Sequence, residues 1–170
     1  MIIPFEGKVP KIHPTAWLAE TAVVIGDVEI GENSSVWYNC VLRGDNMPIR
    51  VGKNTNIQDG SILHIETEKH SCILGDNVSI GHNAIVHGCD VKDGALVAMG
   101  ATVLNGVEVG EGSVIGAGSV VPEYKVIESG TLWMGVPAKY VRHLKEDEIL
   151  RFSHTPIGYS KLKDRFKNSV

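Results

Sequence analysis

Residues 80–88 read Ile-Gly-His-Asn-Ala-Ile-Val-His-Gly, which places His82 and His87 five residues apart, and His64 stands 18 residues before His82. Three neutral imidazoles are enough to hold a catalytic Zn2+ with water in the fourth position. Fe2+ and Co2+ accept the same donor set. An ion so held lowers the pKa of its water toward ~7 and supplies a nucleophile at neutral pH. The other four histidines, His13, His70, His143 and His154, read as ordinary surface residues.

A repeat of six residues would position these rings. With a large apolar residue as its first position, Ile12, Leu18, Val24, Ile30, Val36 and Leu42 fall six apart. The frame returns at Val51, Ile57 and Leu63, again at Leu74 and Ile80, slips by one residue near Gly88, and then runs from Val91 to Val121. The fourth position reads Asp27, Asn33, Asn39, Asp45, Asn54, Gly60, Asn77, Asn83, Gly94, Gly100, Gly106, Gly112 and Gly118. All of these tolerate the left-handed backbone region or a tight turn. The fifth position is mostly small or β-branched, as at Ala16, Ala22, Cys40, Ala95 and Ser119. A short extended run followed by a forced turn matches neither an amphipathic helix nor an alternating strand. It predicts an all-β solenoid of short parallel strands, three to a triangular coil, with the first position filling a continuous apolar interior. Residues 44–50 add three to the period and residues 65–73 add five. Loops inserted in a regular scaffold are where function tends to sit.

Because 18 residues are three repeat lengths, His64 and His82 are expected at comparable positions on neighbouring coils. His82 and His87 fall in successive units, hence on different walls of the triangle. One chain then has difficulty gathering all three rings, and a site shared between the subunits of a cyclic homotrimer resolves this.

By this reading the chain divides into a lead-in over 1–11, the solenoid over 12–121, an irregular connector over 122–143 and a C-terminal helical segment over 144–170 that packs on the solenoid. Two short helices are expected in that tail, one over 144–152 and one starting at Thr155-Pro156. A chain of 170 residues suffices for one domain with a sizeable core. A net charge of −4 favours neither nucleic acid nor an anionic membrane as partner. The longest nearly apolar run, residues 95–104, falls short of the ~20 residues a membrane span needs. Cys40, Cys72 and Cys89 show no CxxC spacing, and the first eight residues lack the charged-then-apolar pattern of a secretory leader. Both features point to a cytoplasmic location.

The runs Val-Leu-Arg-Gly-Asp at 41–45, Asn-Ile-Gln-Asp-Gly at 56–60, Leu63-His64 and the 80–88 stretch together resemble the γ-class carbonic anhydrase family, over nearly the whole chain. The resemblance implies a left-handed parallel β-helix with a C-terminal α-helical tail, against the usual right-handed crossover preference. It also implies a homotrimer with a metal at each interface, where His64 and His87 come from one subunit and His82 from its neighbour. Arg43 and Asp45 would form the interface ion pair. Gln58 would orient metal-bound hydroxide or bicarbonate, Asp59 would support the same region, and Tyr159 would stand at the active-site edge. The implied reaction is reversible hydration of CO2 to bicarbonate. Two departures bear on rate: Asn46 follows Arg-Gly-Asp where the family's archetype has Glu, and residues 65–71 replace a longer acidic loop with a proton-shuttling Glu. Fast hydration needs a group that carries a proton to solvent, so metal binding is better supported than rapid turnover.

Two other readings stay open. Hexapeptide solenoids also carry acyltransferases that use acyl-CoA, and Gly-Val-Pro-Ala-Lys at 135–139 resembles the segment after the solenoid there. Those enzymes use a His as general base and need no cluster of three. The third reading is a non-catalytic metal-binding trimer, and fold alone does not decide among them.

Overall fold

The computed structural model describes residues 1–169. Each hexapeptide forms a short strand, and the strands stack in parallel into three walls. The first wall stacks Val41–Val51, Ile62–His64, Ile85–His87, Thr102–Val103 and Val120–Val121. The second stacks Cys72–Leu74, Asp90–Val91, Glu108–Val109 and Val126–Ile127. The third runs from Trp17–Leu18 through Ser35–Val36, Asn56–Ile57, Ser79–Ile80, Leu96–Val97 and Val114–Ile115 to Thr131–Gly135. Two strands, Val23–Ile30 and Val41–Val51, continue round a corner and serve two walls.

One apolar residue of each strand points inward. Leu42, Leu63, Val86, Val103 and Val121 from the first wall meet Leu74, Val91, Val109 and Ile127 from the second and Val36, Ile57, Ile80, Val97 and Ile115 from the third, all buried. Each such side chain contributes about 1.5–3 kcal/mol by leaving water. The corners follow the Asn/Gly pattern. Of the thirteen fourth-position residues only Asp27 and Asp45 lack a positive φ, and both lie inside the two long strands. Gly88, at φ 56°, turns the chain after His87, as the one-residue slip requires.

The solenoid does not stop at Val121. Val126–Ile127 and Thr131–Gly135 add to the second and third walls, and Ala138–His143 folds back antiparallel on the latter. Residues 122–143 are therefore a further coil and a closing hairpin, not an irregular connector. The six-residue spacing in fact persists through Val121, Ile127 and Trp133, with Tyr124 and Gly130 taking the left-handed turns. The hairpin covers the open end of one wall, which a solenoid must protect.

The tail is one helix, Glu146–Lys167, rather than two. It runs through Pro156, although a proline inside a helix costs ~3 kcal/mol. Packing on the third wall offsets that cost: Pro156 is buried, Trp37 meets Tyr159 at 5.3 Å and Phe166 at 5.2 Å between ring centroids, and Trp17 meets Phe166 at 5.7 Å. The first turn is hooked to the solenoid by Arg142, which donates to both Glu148 oxygens at 2.7 and 2.9 Å, while Lys145 N–H donates to Glu148 Oε2 at 2.9 Å. Among the described residues no helix is long and apolar enough to cross a membrane.

These contacts give two measurable consequences. Arg142 and the Lys145 N–H hold the Glu148 carboxyl down at about 2, against an ordinary value of 4.5. A carboxyl lowered in the folded state contributes stability that is complete above pH 4.5 and is lost as pH falls toward 2. Thermal melts should show a lower Tm for Glu148→Gln at pH 7 and a shallower decline through that acid range. Burial pushes the Cys40 thiol up to about 11, and the Cys72 thiol together with burial pushes Cys89 up as well. With all three thiols buried and unpaired, a disulfide reagent at pH 8 should find none reactive within minutes in native protein and all three after denaturation.

Candidate metal centre

His64 and His87 are ladder partners. Leu63 and Val86 point into the core, so the next residue on each strand points outward, and the register sets His64 beside His87 with Arg43 one coil above. His64 Nδ1 lies 3.1 Å from His87 Nε2. This corrects the expectation that His64 and His82 hold comparable positions. The five residues inserted over 65–73 lengthen that coil, so the residue one coil on from His64 is His87. His82 instead lies at the corner between the third and first walls, between strands Ser79–Ile80 and Ile85–His87.

The first cluster occupies the far edge of the first wall. His64 Nε2 is buried, 3.3 Å from Asp45 Oδ1 but out of hydrogen-bond alignment, and has no partner. Within one chain Arg43 Nη1 donates to Asp45 Oδ2. Burial works to raise the Asp45 pKa, but the Arg43 charge and backbone N–H groups hold it below the ordinary value. Burial and then the Arg43 charge lower the His64 pKa, which favours the neutral imidazole a metal requires. His87 Nδ1 lies 2.6 Å from Asn105 Oδ1, and Asn105 Nδ2 donates to Glu123 Oε1 at 2.9 Å. Neither Asn105 nor Glu123 stood out in the sequence, although each follows its predecessor by one full coil of 18 residues.

The second cluster occupies the near edge. His82 Nδ1 lies 2.9 Å from Asp59 Oδ2, and the Tyr159 hydroxyl lies 3.5 Å from His82 Nε2. Tyr159 is brought there by the helix and by Trp37. Burial, then the Asp59 charge, raises its pKa, so it stays a phenol. Gln58 is buried beside this cluster, its Nε2 donating to Asn56 Oδ1 at 3.0 Å while Asn56 Nδ2 donates to Ser79 Oγ at 2.8 Å. Asn56 stands in the 56–60 motif, but nothing in the sequence marked it as the partner of Gln58.

The structure thus joins Arg43, Asp45, His64 and His87 at one edge of the first wall and Gln58, Asp59, His82 and Tyr159 at the other. Between them runs an outward column that includes the exposed Ile62 and Ile85. Among the described residues no three His, Cys, Asp or Glu side chains of one chain are placed so that they could hold a metal ion. The donors still suit a divalent cation. His64 presents an unpartnered buried nitrogen, and His82 is braced at Nδ1 by a carboxylate, as metal-binding imidazoles commonly are. In the shortened loop, Thr67 Oγ1 reaches Asn46 Oδ1 at 3.5 Å, and Glu66 Oε2 is buried without a hydrogen-bond partner, 3.7 Å from His70 Nε2.

The chain is similar to several known proteins. The family model described as bacterial transferase hexapeptide (six repeats) matches residues 88–123. "Gamma carbonic anhydrase 1, mitochondrial" from Arabidopsis thaliana is 45% identical over 91% of this chain, which spans only 58% of that protein's length. "Carbonic anhydrase" from Geobacillus kaustophilus is 47% identical over 88% of this chain and 81% of its own. The solved structure of a hexapeptide transferase family protein from Anaplasma phagocytophilum superposes with a TM-score of 0.93 at 40% identity, over 97% of both chains. On this identity across nearly its whole length, and on its hexapeptide solenoid, the chain belongs to the γ-class carbonic anhydrase family.

Proposed function

We propose that this protein hydrates CO2 reversibly to bicarbonate at a divalent metal shared between neighbouring subunits of a homotrimer. His64 and His87 of one subunit and His82 of the next are the ligands. The observation that carries this reading is the division of the donors into two half-sites at opposite edges of one wall, each incomplete alone. A cyclic arrangement that lays one chain's near edge against another's far edge completes a site at every contact. Zn2+, Fe2+ and Co2+ all suit three imidazoles, and when bound such an ion supplies the Lewis acidity that brings a water's pKa toward ~7.

The chain's own residues supply the rest. Arg43 keeps Asp45 anionic beside His64 and, at a subunit contact, helps hold the register. Asp59 holds the His82 Nδ1–H and turns Nε2 outward. Tyr159 remains protonated at the edge of the site and offers a hydroxyl hydrogen bond there. Gln58, which donates or accepts without titrating, orients a bicarbonate oxygen. The Asn46 amide cannot carry a proton as a carboxyl does, so we expect slower hydration than in relatives with an acid at that position. The three unpaired thiols support a cytoplasmic location. Acyl transfer from acyl-CoA is the second reading, favoured by the description of the Anaplasma structure as a hexapeptide transferase.

Purified protein should be trimeric and hold about one divalent ion per chain. His64→Ala, His82→Ala and His87→Ala should each lose at least ~90% of it. Trimers reassembled from equal amounts of His64→Ala and His82→Ala chains should recover about a quarter of wild-type metal, since one contact in four pairs two intact half-sites. Unchanged metal content in all three single variants, or no recovery in the hybrids, overturns the shared site. Stopped-flow CO2 hydration with Zn2+ and with anaerobic Fe2+ separates catalysis from simple metal storage. Acetyl-CoA turnover over a panel of small acceptors tests the second reading.

A further inference from the structure

The hydrogen bonds along the far edge of the first wall decide which ring nitrogens carry protons. The Glu123 oxygen accepts, so the Asn105 group that faces it at 2.9 Å is the NH2. The Asn105 oxygen is thereby turned toward His87 Nδ1, 2.6 Å away, which must donate. His87 Nε2 is then a lone pair. It faces His64 Nδ1 at 3.1 Å, so that nitrogen donates in turn. His64 Nε2, buried and 3.3 Å from Asp45 Oδ1, makes no aligned hydrogen bond. The chain also makes room for this contact: a Cβ at Gly88 would lie 2.7 Å from Asn105 Oδ1 and block its approach to His87.

We propose that Asn105 and Glu123, one and two coils below His87, are positioning residues for the metal centre. Glu123 sets the amide orientation of Asn105, and Asn105 holds His87 as the Nδ1–H tautomer with Nε2 turned toward His64. This rests on the shared-metal reading above and extends it to two residues that touch neither metal nor substrate. Position alone does not account for the pair. A turn residue needs only to fit the corner, whereas this amide is fixed at both ends by groups on the coils above and below it. The relay also ends at an exposed side chain, so its outer member can be changed with little disturbance of the fold.

The test uses the full chain, 15N-labelled and stripped of metal with a chelator, with His87 resonances assigned by comparison with His87→Gln. Long-range 1H–15N spectra should show wild-type His87 as a single Nδ1–H tautomer. Asn105→Leu should introduce the Nε2–H form, Asn105→Asp should restore Nδ1–H, and Glu123→Ala should give a mixture. Zinc titration should find Asn105→Leu weakened ~10–100-fold, with Asn105→Asp close to wild type and the trimer intact in both. A His87 tautomer that ignores both Asn105→Leu and Glu123→Ala overturns the proposal. So does wild-type zinc affinity in Asn105→Leu. If wild-type protein takes up no zinc, the shared-metal reading fails separately, and the metal-free spectra still decide whether Asn105 governs the ring.

Discussion

The structure depends on the lateral ladder between coils. Each short strand is too small to persist alone, and it gains its hydrogen bonds and its share of the apolar column only from the strands above and below. The inward residue locks the register, because a slip by one residue would turn the core side chain out to water. Once Leu63 lies over Val86, His64 must lie beside His87. The same constraint sets Arg43 above them, and one coil further on it brings Asn105 within reach. The chemistry is thus a by-product of core register, held by groups that do no chemistry.

That constraint also explains why the three histidines do not gather within one chain. Outward side chains on adjacent strands of one wall stand about 4.8 Å apart, close enough for two rings to share a ligand. A third ring on another edge of the prism faces away from them. His82, at the corner between the third and first walls, is in that position, and its surroundings differ accordingly. It is braced by Asp59 and approached by Tyr159 of the C-terminal helix. The helix is fastened by Trp17, Trp37 and Phe166 and by the Arg142–Glu148 hook, so the tail sets Tyr159 beside His82 as well as covering the wall.

The sequence alone determined the solenoid. A large apolar residue every six positions with Asn, Asp or Gly at the fourth leaves few other folds, because the left-handed turn is open to so few residue types. It also pointed to three chemically apt histidines. Tertiary structure decided which of them are neighbours, since five inserted residues in one coil shift every later register and move His87, not His82, beside His64. It likewise decided that residues 122–143 continue the coil despite their prolines, and that Pro156 sits within one helix, because packing energy summed over a wall exceeds a local backbone penalty. The roles of Asn105 and Glu123 were hidden for the same reason: a hydrogen bond between coils depends on how the coils stack, which no local run of residues specifies.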